Sequence, residues 1–260
     1  MFVLKFVEGV GTKSINAFLS FYEALKFSFI CLAHMINPRS YNPAMRMVLT
    51  KQIYFTAIQI IPLFITMAVL FGSVIIGVVI LLAAEYKLQD EIGSIIITFA
   101  VNEFSPFFTA LLISLRSGTA INTEIAVMKV NNELNTLKTY NISLIDYLFL
   151  PRIIGGVISV VSLSILFAII MLGSGYVITM FYMNMDFHTY KYLLTSAIEV
   201  RDVLVLLFKS IAFGFVTMLI PLYSGLKTSK SYTAIPISVL NGMVKLFIAI
   251  FLIEVLSLLI

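Results

Sequence analysis

Long stretches without a charged residue constrain the fold of this chain more than any other feature. The first such stretch, 52–84, contains thirty-three residues between Lys51 and Glu85. A bilayer core of about 30 Å needs about 20 apolar residues in an α-helix, so this stretch is long enough to span a membrane. Charged residues make up only 12% of the 260 residues and apolar ones 60%, which leaves too little polar surface for a water-soluble globule. The sequence therefore predicts an all-α integral membrane protein.

The pattern of apolar stretches predicts five transmembrane helices within a domain over residues 51–260. If the first were a straight helix it would be about 50 Å long, at about 1.5 Å per residue. It is therefore predicted to be tilted, kinked near Pro62 or Gly72, or extended beyond the membrane. The third is rich in small residues, which favour close helix packing. The predicted spans cover about 52–84, 92–115, 153–181, 203–226 and 233–260.

Basic residues are distributed unevenly among the segments between the spans. Segments on one side of the membrane contain twelve Lys and Arg residues, and segments on the other side contain three. Because cytoplasmic loops are enriched in Lys and Arg, the richer side is predicted to be cytoplasmic. Five spans then place the N-terminus in the cytoplasm and the C-terminus on the opposite side of the membrane.

The segment 1–50 is predicted to be an amphipathic helical segment at the cytoplasmic interface, with a re-entrant part. Charges interrupt any run that could serve as a signal peptide. The run 27–36 is too short to span and is followed by the helix-breaking Pro38 and Pro43. Apolar residues recur on one face at helical spacing. This stripe consists of Phe18, Phe21, Leu25 and Phe29.

The residues that enzymes and autonomous pumps need are scarce. One cysteine and two histidines provide neither a disulfide framework nor an imidazole-rich metal site. The stretch Gly9-Val-Gly-Thr-Lys-Ser14 lacks the Gly-Lys-Ser/Thr order of a phosphate loop. We therefore expect no catalytic residue, metal, cofactor or nucleic-acid partner, and any ATP hydrolysis would come from another polypeptide.

Four charged residues fall inside the predicted spans, where charges are costly and usually face a cavity or a partner. Lys245 is set aside, because its long side chain can reach the cytoplasmic interface. Glu103 lies near the middle of the second span and is followed by Pro106, which removes a backbone hydrogen bond. Lys209 and Glu254 lie at similar depth and could pair. The sequence leaves two interpretations open for these charges, a structural lock between helices or a functional site.

The segment between the second and third spans is predicted to contain a helix over about 119–140, with Thr119 as its N-cap. It is either a helix on the membrane surface or a coupling helix that binds a groove of a cytoplasmic partner. Spacing alone does not separate these interpretations. Its apolar stripe consists of Ile121, Ile125, Met128, Leu134 and Leu137.

The run Asn102-Glu-Phe-Ser-Pro-Phe-Phe-Thr-Ala-Leu-Leu-Ile-Ser-Leu-Arg-Ser-Gly-Thr-Ala-Ile-Asn-Thr-Glu-Ile125 resembles the central motif of MlaE/YrbE-type permeases. That motif has Glu followed by Pro three residues later, then Ala-Leu-Leu and an Arg-x-Gly-Ser/Thr-Ala core ending in Glu. The similarity extends over nearly the whole chain from about residue 45. Further matches are Met128, Glu133, Leu137, Pro151-Arg152, the Lys209-Ser210-x-x-Phe213-Gly214 motif and Gly225.

The resemblance implies an inner-membrane permease, acting as a homodimer in an ABC transporter that moves phospholipid between the two membranes of a diderm envelope. Its partners would be a cytoplasmic ABC ATPase, a periplasmic MCE-domain lipid-binding protein and often a STAS-domain subunit. The implied lipid-cavity residues are Glu103, Lys209, Glu254, Ile75, Leu82 and Tyr86. The implied ATPase-coupling residues are Arg116, Gly118, Thr119, Glu124, Met128 and Glu133.

The chain also departs from the pattern of that family. Asn102 stands where an arginine often precedes the glutamate of the second span, so Glu103 lacks a neighbouring cation. Ile142-Ser143 stands in place of an Asp-Pro ahead of the third span, and Tyr232-Thr-Ala-Ile-Pro236 replaces a glycine-rich segment before the fifth.

Two other classes of function compete with a permease subunit. The first is a stand-alone channel or secondary transporter with Glu103 as an ion or proton site. The odd number of spans and the lack of a visible inverted repeat argue against it. The second is a membrane-embedded lipid enzyme, for which no catalytic constellation is visible. For a lipid carrier, a headgroup phosphate would need a cation such as Lys209 or Arg201 at the periplasmic mouth.

Overall fold

The computed structural model describes Leu19 and residues 22–86 and 91–259, and these residues form helices joined by short turns, without a strand. Five of the helical segments are long and apolar enough to cross a membrane, which confirms the predicted fold class. Phe18, Phe21 and the stretch 9–14 lie outside the described residues. The candidate spans are Pro43–Ala83, Ile92–Val130, Ile145–Tyr182, Val200–Lys227 and Ala234–Leu258.

We number the α-helices in chain order, starting with α1 at residues 22–36. The next helices are α2 (Pro43–Thr56), α3 (Ile61–Glu85), α4 (Ile92–Ile96), α5 (Ser105–Ile113) and α6 (Thr119–Val130). They are followed by α7 (Glu133–Thr139), α8 (Leu150–Met183), α9 (Phe187–Ala197), α10 (Val200–Lys227) and α11 (Ala234–Leu258). Three π-helical segments interrupt this series at Ile97–Phe104, Ser114–Gly118 and Ile145–Phe149.

The first span is broken near Pro62, one of the three alternatives that its length suggested. α2 ends at Thr56, a 3₁₀ turn covers Ile58–Ile60, and α3 begins at Ile61. Pro62 falls in the first turn of α3, where its missing N–H costs no helical hydrogen bond. Because α2 begins at Pro43, the sequence-based boundary at residue 50 lies inside a helix.

The second span is longer than predicted. Helical hydrogen bonding continues from Ile92 through two π-helical segments to Val130, so the helix does not end near Leu115. The prediction of Thr119 as an N-cap is wrong, because its hydroxyl donates to the carbonyl of Leu115 at 2.7 Å within the continuous helix. Tertiary packing explains the extension, since the buried face of α6 lies against α10 and α11.

The predicted helix over 119–140 is divided in two. α6 ends at Val130, and Asn132 has a left-handed backbone conformation with φ of 59°. Asparagine tolerates this conformation better than most residues, so the pair Asn131-Asn132 provides the turn between α6 and α7. α7 follows the turn as a separate short helix, which packs on the bundle through the buried Leu134.

The third span, α8, is the central helix of the bundle and packs against α2, α3, α5 and α10. Its contact with α10 depends on glycine, because a Cβ on Gly214 would lie 2.7 Å from the Cα of Val157. Its contact with α3 is equally close, since a Cβ on Gly72 would lie 2.7 Å from the carbonyl oxygen of Met171. Such close backbone approach is typical of membrane helices that associate through small residues.

The bundle has two ends, which we call the α7 end and the α9 end. α7, α1 and the turn between α10 and α11 lie at the α7 end, whereas α9, the end of α3 and the start of α4 lie at the α9 end. α9 begins at the N-cap Asp186, and hydrogen bonds from Thr189 hold the pKa of its carboxyl below the usual value. Tyr190 fixes α9 to α8 by donating to the carbonyl of Leu172 at 2.8 Å, and its burial raises the pKa of the phenol.

α1 packs on the α7 end of the bundle through Phe27, whose ring lies 5.6 Å from that of Phe149 and 5.7 Å from that of Tyr223. Lys227 donates a hydrogen bond to Glu23, which holds the pKa of this carboxyl below its usual value. Leu25 and Phe29, the described members of the predicted stripe, stay exposed. The opposite side of α1 therefore contacts the protein, and the stripe is free to contact lipid.

Candidate functional site

Glu103, Lys209 and Glu254 meet in one group, which we call the charge cluster. The ammonium of Lys209 binds the carboxylate of Glu103 and lies 3.0 Å from Oε2 of Glu254. The predicted proximity of Lys209 and Glu254 is confirmed, and the contact with Glu103 was not predicted. Three residues that are far apart in sequence thus converge from the second, fourth and fifth spans.

Local helix geometry positions each member of the charge cluster. Glu103 belongs to the π-helical segment Ile97–Phe104, directly before the helix turn that contains Pro106. Pro106 has no N–H to donate, and the wider hydrogen-bond register of the π-helix precedes it. Lys209 lies nine residues after the start of α10, and Glu254 lies four residues before the end of α11. At about 1.5 Å per residue, the cluster lies in the half of the bundle near the α9 end.

The charge cluster is only partly enclosed by this chain. The side chain of Lys209 is 3% exposed, whereas those of Glu103 and Glu254 are 19% and 16% exposed. Phe107 and Phe251 lie nearby on the same two helices, with ring centroids 5.4 Å apart. The two carboxylates therefore border an open face of the second and fifth spans.

Asn102 and Asp202 form a second polar contact beside the charge cluster. The amide Nδ2 of Asn102 donates to Oδ1 of Asp202 at 2.6 Å, and Oδ2 of Asp202 accepts from the backbone N–H of Glu199 at 2.8 Å. This contact ties the first turn of α10 to the π-helical segment. Sequence reasoning identified Asn102 as a departure from the family pattern but gave no partner for it.

The predicted lipid-contacting positions of the first span lie on α3. Ile75 is half-buried against the core, while Leu82 and Tyr86 are 47% and 68% exposed near the α9 end. α3 also packs against α4 and the π-helical segment that carries Glu103. The exposed apolar surface of α3 thus adjoins the segment on which the charge cluster is built.

The predicted coupling residues are distributed between the inside and the outside of the bundle. Gly118 is buried, and a Cβ there would lie 3.5 Å from Pro221 of α10. Glu124 is half exposed and accepts a hydrogen bond at 2.6 Å from Arg152, a buried residue of α8. Glu133 is exposed in the first turn of α7. Arg116, Thr119 and Met128 are partly buried in the second span.

A polar cluster at the α7 end was not predicted from the sequence. Asn122 of α6 is fully buried, and its amide Nδ2 donates to the carbonyl of Ser238 in α11. Ser224 also donates to that carbonyl at 3.0 Å, so α6, α10 and α11 are joined there. The ammonium of Lys129 donates to the carbonyl of Leu226 near the end of α10. The small residues Gly225 and Gly242 near these positions were the available signal.

Comparison with known proteins gives a consistent result. The family model described as Permease MlaE matches residues 49–260. A probable ABC transporter permease protein of Rickettsia typhi is 25% identical over 228 residues, which cover 87% of this chain and 82% of the relative. The intermembrane phospholipid transport system permease protein MlaE of Haemophilus influenzae is 25% identical over 227 residues, covering 86% and 84%. A probable ABC transporter permease protein of Synechocystis is 28% identical over 167 residues, covering 64% of each chain.

The matched region contains all five candidate spans apart from the first residues of α2, and it includes the charge cluster and α6. The resemblance seen in the run 102–125 is therefore confirmed over most of the chain. The five apolar helices are what a permease of this length needs to cross the membrane, so the structure and the family match agree. The chain belongs to the MlaE family of permeases, and it is a multi-pass membrane protein.

Proposed function

We propose that this chain is the inner-membrane permease subunit of an ABC transporter that moves phospholipids between the inner and outer membranes and so maintains outer-membrane lipid asymmetry. A separate cytoplasmic ATPase would supply the energy. The observation that carries the proposal is the partly open charge cluster between aromatic and aliphatic helix faces. Such a surface suits a molecule with a polar headgroup and apolar chains.

The exposed carboxylates support a cavity at this face. Ionised groups inside a membrane are costly unless they face protein or a water-filled space. Glu103 and Glu254 are partly uncovered in this chain, so a second copy must cover them or enclose a polar cavity around them. We propose a homodimer in which the charge cluster and the α3 surface with Ile75, Leu82 and Tyr86 line the lipid path.

The position of Lys209 changes its proposed role. Because its ammonium is buried between two carboxylates, it is poorly placed to bind a phosphate. Lys209 would instead hold the two acidic helices together, and Arg201, exposed in the first turn of α10, is the better candidate for the headgroup phosphate. The bond to Lys209 also makes Glu103 less suited to be an ion site of a stand-alone transporter.

The partners in this proposal are an ABC ATPase, a periplasmic MCE-domain lipid-binding protein and a STAS-domain subunit. The ATPase would bind the α7 end, which the distribution of Lys and Arg predicts to be cytoplasmic. Motion would pass through α6, because this helix is continuous with the second span and packs against α10 and α11. The MCE-domain protein would bind the α9 end.

Substitution of the exposed Glu133 tests the proposed coupling surface. Glu133→Lys should remove most of the ATPase from pull-downs of the full-length chain co-expressed with its candidate partners, since the change reverses a charge without breaking an internal ion pair. Glu124→Lys is less informative, because it would also break the bond to Arg152. The matched control is Glu91→Lys, an exposed position at the α9 end.

The lipid function is tested by reconstitution of the complete complex. ATP-dependent transfer of labelled phospholipid between the permease vesicles and the MCE-domain protein is expected, and it should stop without the ATPase. Retention of ATPase by the Glu133→Lys variant would argue against the coupling surface. A complex that hydrolyses ATP but transfers no phospholipid would argue against the lipid function.

A further inference from the structure

The charges of the charge cluster do not balance. One ammonium, that of Lys209, contacts two carboxylates, those of Glu103 and Glu254. Both contacts use the same buried nitrogen, so neither carboxylate has a cation of its own. The cluster therefore carries one excess negative charge when its three members are ionised.

Asn102 and Asp202 increase this negative character. The neutral amide of Asn102 satisfies the carboxylate of Asp202 by a hydrogen bond but leaves its charge uncompensated. Asp202 and Lys209 are seven residues apart on α10, which places them on the same face about two turns from each other. The polar end of the proposed lipid path thus has three carboxylates, against the buried ammonium of Lys209 and the exposed guanidinium of Arg201.

One buried oxygen beside this group lacks a hydrogen-bond donor. Asn102 is only 6% exposed, and its Oδ1 has no partner among the described residues. Buried polar atoms without partners are rare in proteins and commonly mark a missing ligand or water. A primary ammonium offers three donors and a positive charge, whereas a phosphate oxygen is an acceptor.

We propose that Asn102 and Asp202 set a headgroup preference, favouring phospholipids with an amine, such as phosphatidylethanolamine, over anionic ones, such as phosphatidylglycerol. This inference rests on the proposed lipid function. The headgroup ammonium would approach the excess carboxylate charge near Glu103. Its phosphate would lie toward Arg201, which is exposed in the first turn of α10.

Competition between two lipids with identical acyl chains tests this preference. The full-length chain is purified in mild detergent, delipidated and incubated with an equimolar mixture of the two lipids, and bound lipid is quantified by mass spectrometry. In the lipid bound to the parent chain, the fraction of the amine-bearing lipid should be larger than in the mixture supplied. Asn102→Arg should lower the ratio of amine-bearing to anionic lipid about fivefold, because it adds a positive charge next to Glu103 and Asp202.

Two further variants separate charge from structure. Asp202→Asn has nearly the same shape and keeps one oxygen to accept the hydrogen bond from Asn102, although its amide nitrogen cannot accept from the backbone N–H of Glu199. It should lower the ratio in the same direction, provided that its elution profile matches that of the parent. Glu91→Gln removes an exposed carboxylate of the α9 end outside the charge cluster and should leave the ratio unchanged. Lipids that surround the protein non-specifically contribute equally to all variants, so the difference between variants reports the site.

The outcomes distinguish the inference from the function on which it rests. Bound lipid at the same ratio in the parent, Asn102→Arg and Asp202→Asn would overturn the headgroup preference and leave the lipid function intact. If no variant, including the parent, retains lipid at all, the lipid function fails and the preference with it. If Asn102→Arg does not fold, judged by its elution profile, Asp202→Asn alone decides.

Discussion

At the scale of single residues, the charge cluster is the feature expected to contribute most to the relative positions of the spans. Lys209 is nearly fully buried, and its positive charge separates two carboxylates on different helices. Burying charges is costly, but removing one partner of a buried pair costs more, because it leaves the other charge uncompensated. The cluster is therefore expected to hold the second, fourth and fifth spans in register.

Replacing the ammonium with an apolar group of similar length measures this role. Lys209→Met should destabilise the protein by about 3 kcal/mol, since Glu103 and Glu254 would then repel each other in an apolar environment. Thermal unfolding in detergent gives the measurement. Adding Glu103→Gln and Glu254→Gln to Lys209→Met should recover most of the loss. A Lys209→Met variant as stable as the parent would show that the cluster has no structural role.

At the scale of elements, close helix packing is concentrated at a few glycines. A Cβ on Gly72 of α3 would lie 2.2 Å from the hydroxyl of Ser174 and 2.7 Å from the carbonyl oxygen of Met171. Gly173 on the same stretch of α8 has nothing within 4 Å of such a Cβ. Backbone atoms cannot move aside as side chains can, so the α3–α8 contact specifically requires glycine at 72.

This contrast gives a matched pair of substitutions. Gly72→Ala should destabilise the protein by about 1–3 kcal/mol through overpacking. Gly173→Ala should be neutral or stabilising by up to about 1 kcal/mol, because alanine favours helices over glycine. The unfolding midpoint should therefore fall below that of the parent for Gly72→Ala, and should equal or exceed it for Gly173→Ala. Equal effects would mean that α3 and α8 are not as close as described.

The packing of α1 on the bundle can be followed through its cysteine. Cys31 is fully buried, and burial raises the pKa of its thiol to about 12, so almost no reactive thiolate exists at pH 8. Maleimide labelling of the folded chain at pH 8 should be slow. Phe27→Ala should accelerate it at least about tenfold by loosening α1, whereas Phe29→Ala, at an exposed position, should not. Rapid labelling of the parent chain would contradict the described packing.

At the scale of the whole molecule, the burial of the five spans is unequal. Only 22% of the most apolar part is buried in both the first span and α11, compared with 50% in the second and third spans. α11 also carries Glu254, whose carboxylate is partly exposed and unsuited to contact with lipid chains. A second copy of the chain is thus expected to cover this face. Its exposed stripe consists of Leu240, Val244, Ile248, Phe251 and Val255.

Cross-linking locates such an interface. In a Cys31→Ala background, Ile248→Cys should form a disulfide-linked dimer on mild oxidation in membranes. The control is Ile169→Cys, at an isoleucine of α8 that is slightly more exposed than Ile248, and this variant should stay monomeric. Electrophoresis without reducing agent separates the two outcomes. A dimer with Ile169→Cys and none with Ile248→Cys would place the interface on another face.

The comparison of sequence and structure separates local from non-local information. The five spans could be predicted from the sequence. A spanning segment must satisfy its own backbone hydrogen bonds, so it forms a helix, and its contact with lipid requires a run of consecutive apolar residues. The sequence also indicated the burial cost of Glu103, Lys209 and Glu254, whereas a break near Pro62 was one of several alternatives for the first span. Each depends only on residues close in sequence.

The lateral arrangement of the helices was decided by the tertiary structure. That Glu103 meets Lys209, and that Asn102 meets Asp202, depends on pairs about a hundred residues apart. The continuation of the second span to Val130 likewise reflects packing of α6 against α10 and α11, not a local signal. The sequence thus determined which groups must be compensated inside the membrane, and only the tertiary structure determined their partners, because side-chain pairing between helices depends on rotation and depth that no single segment encodes.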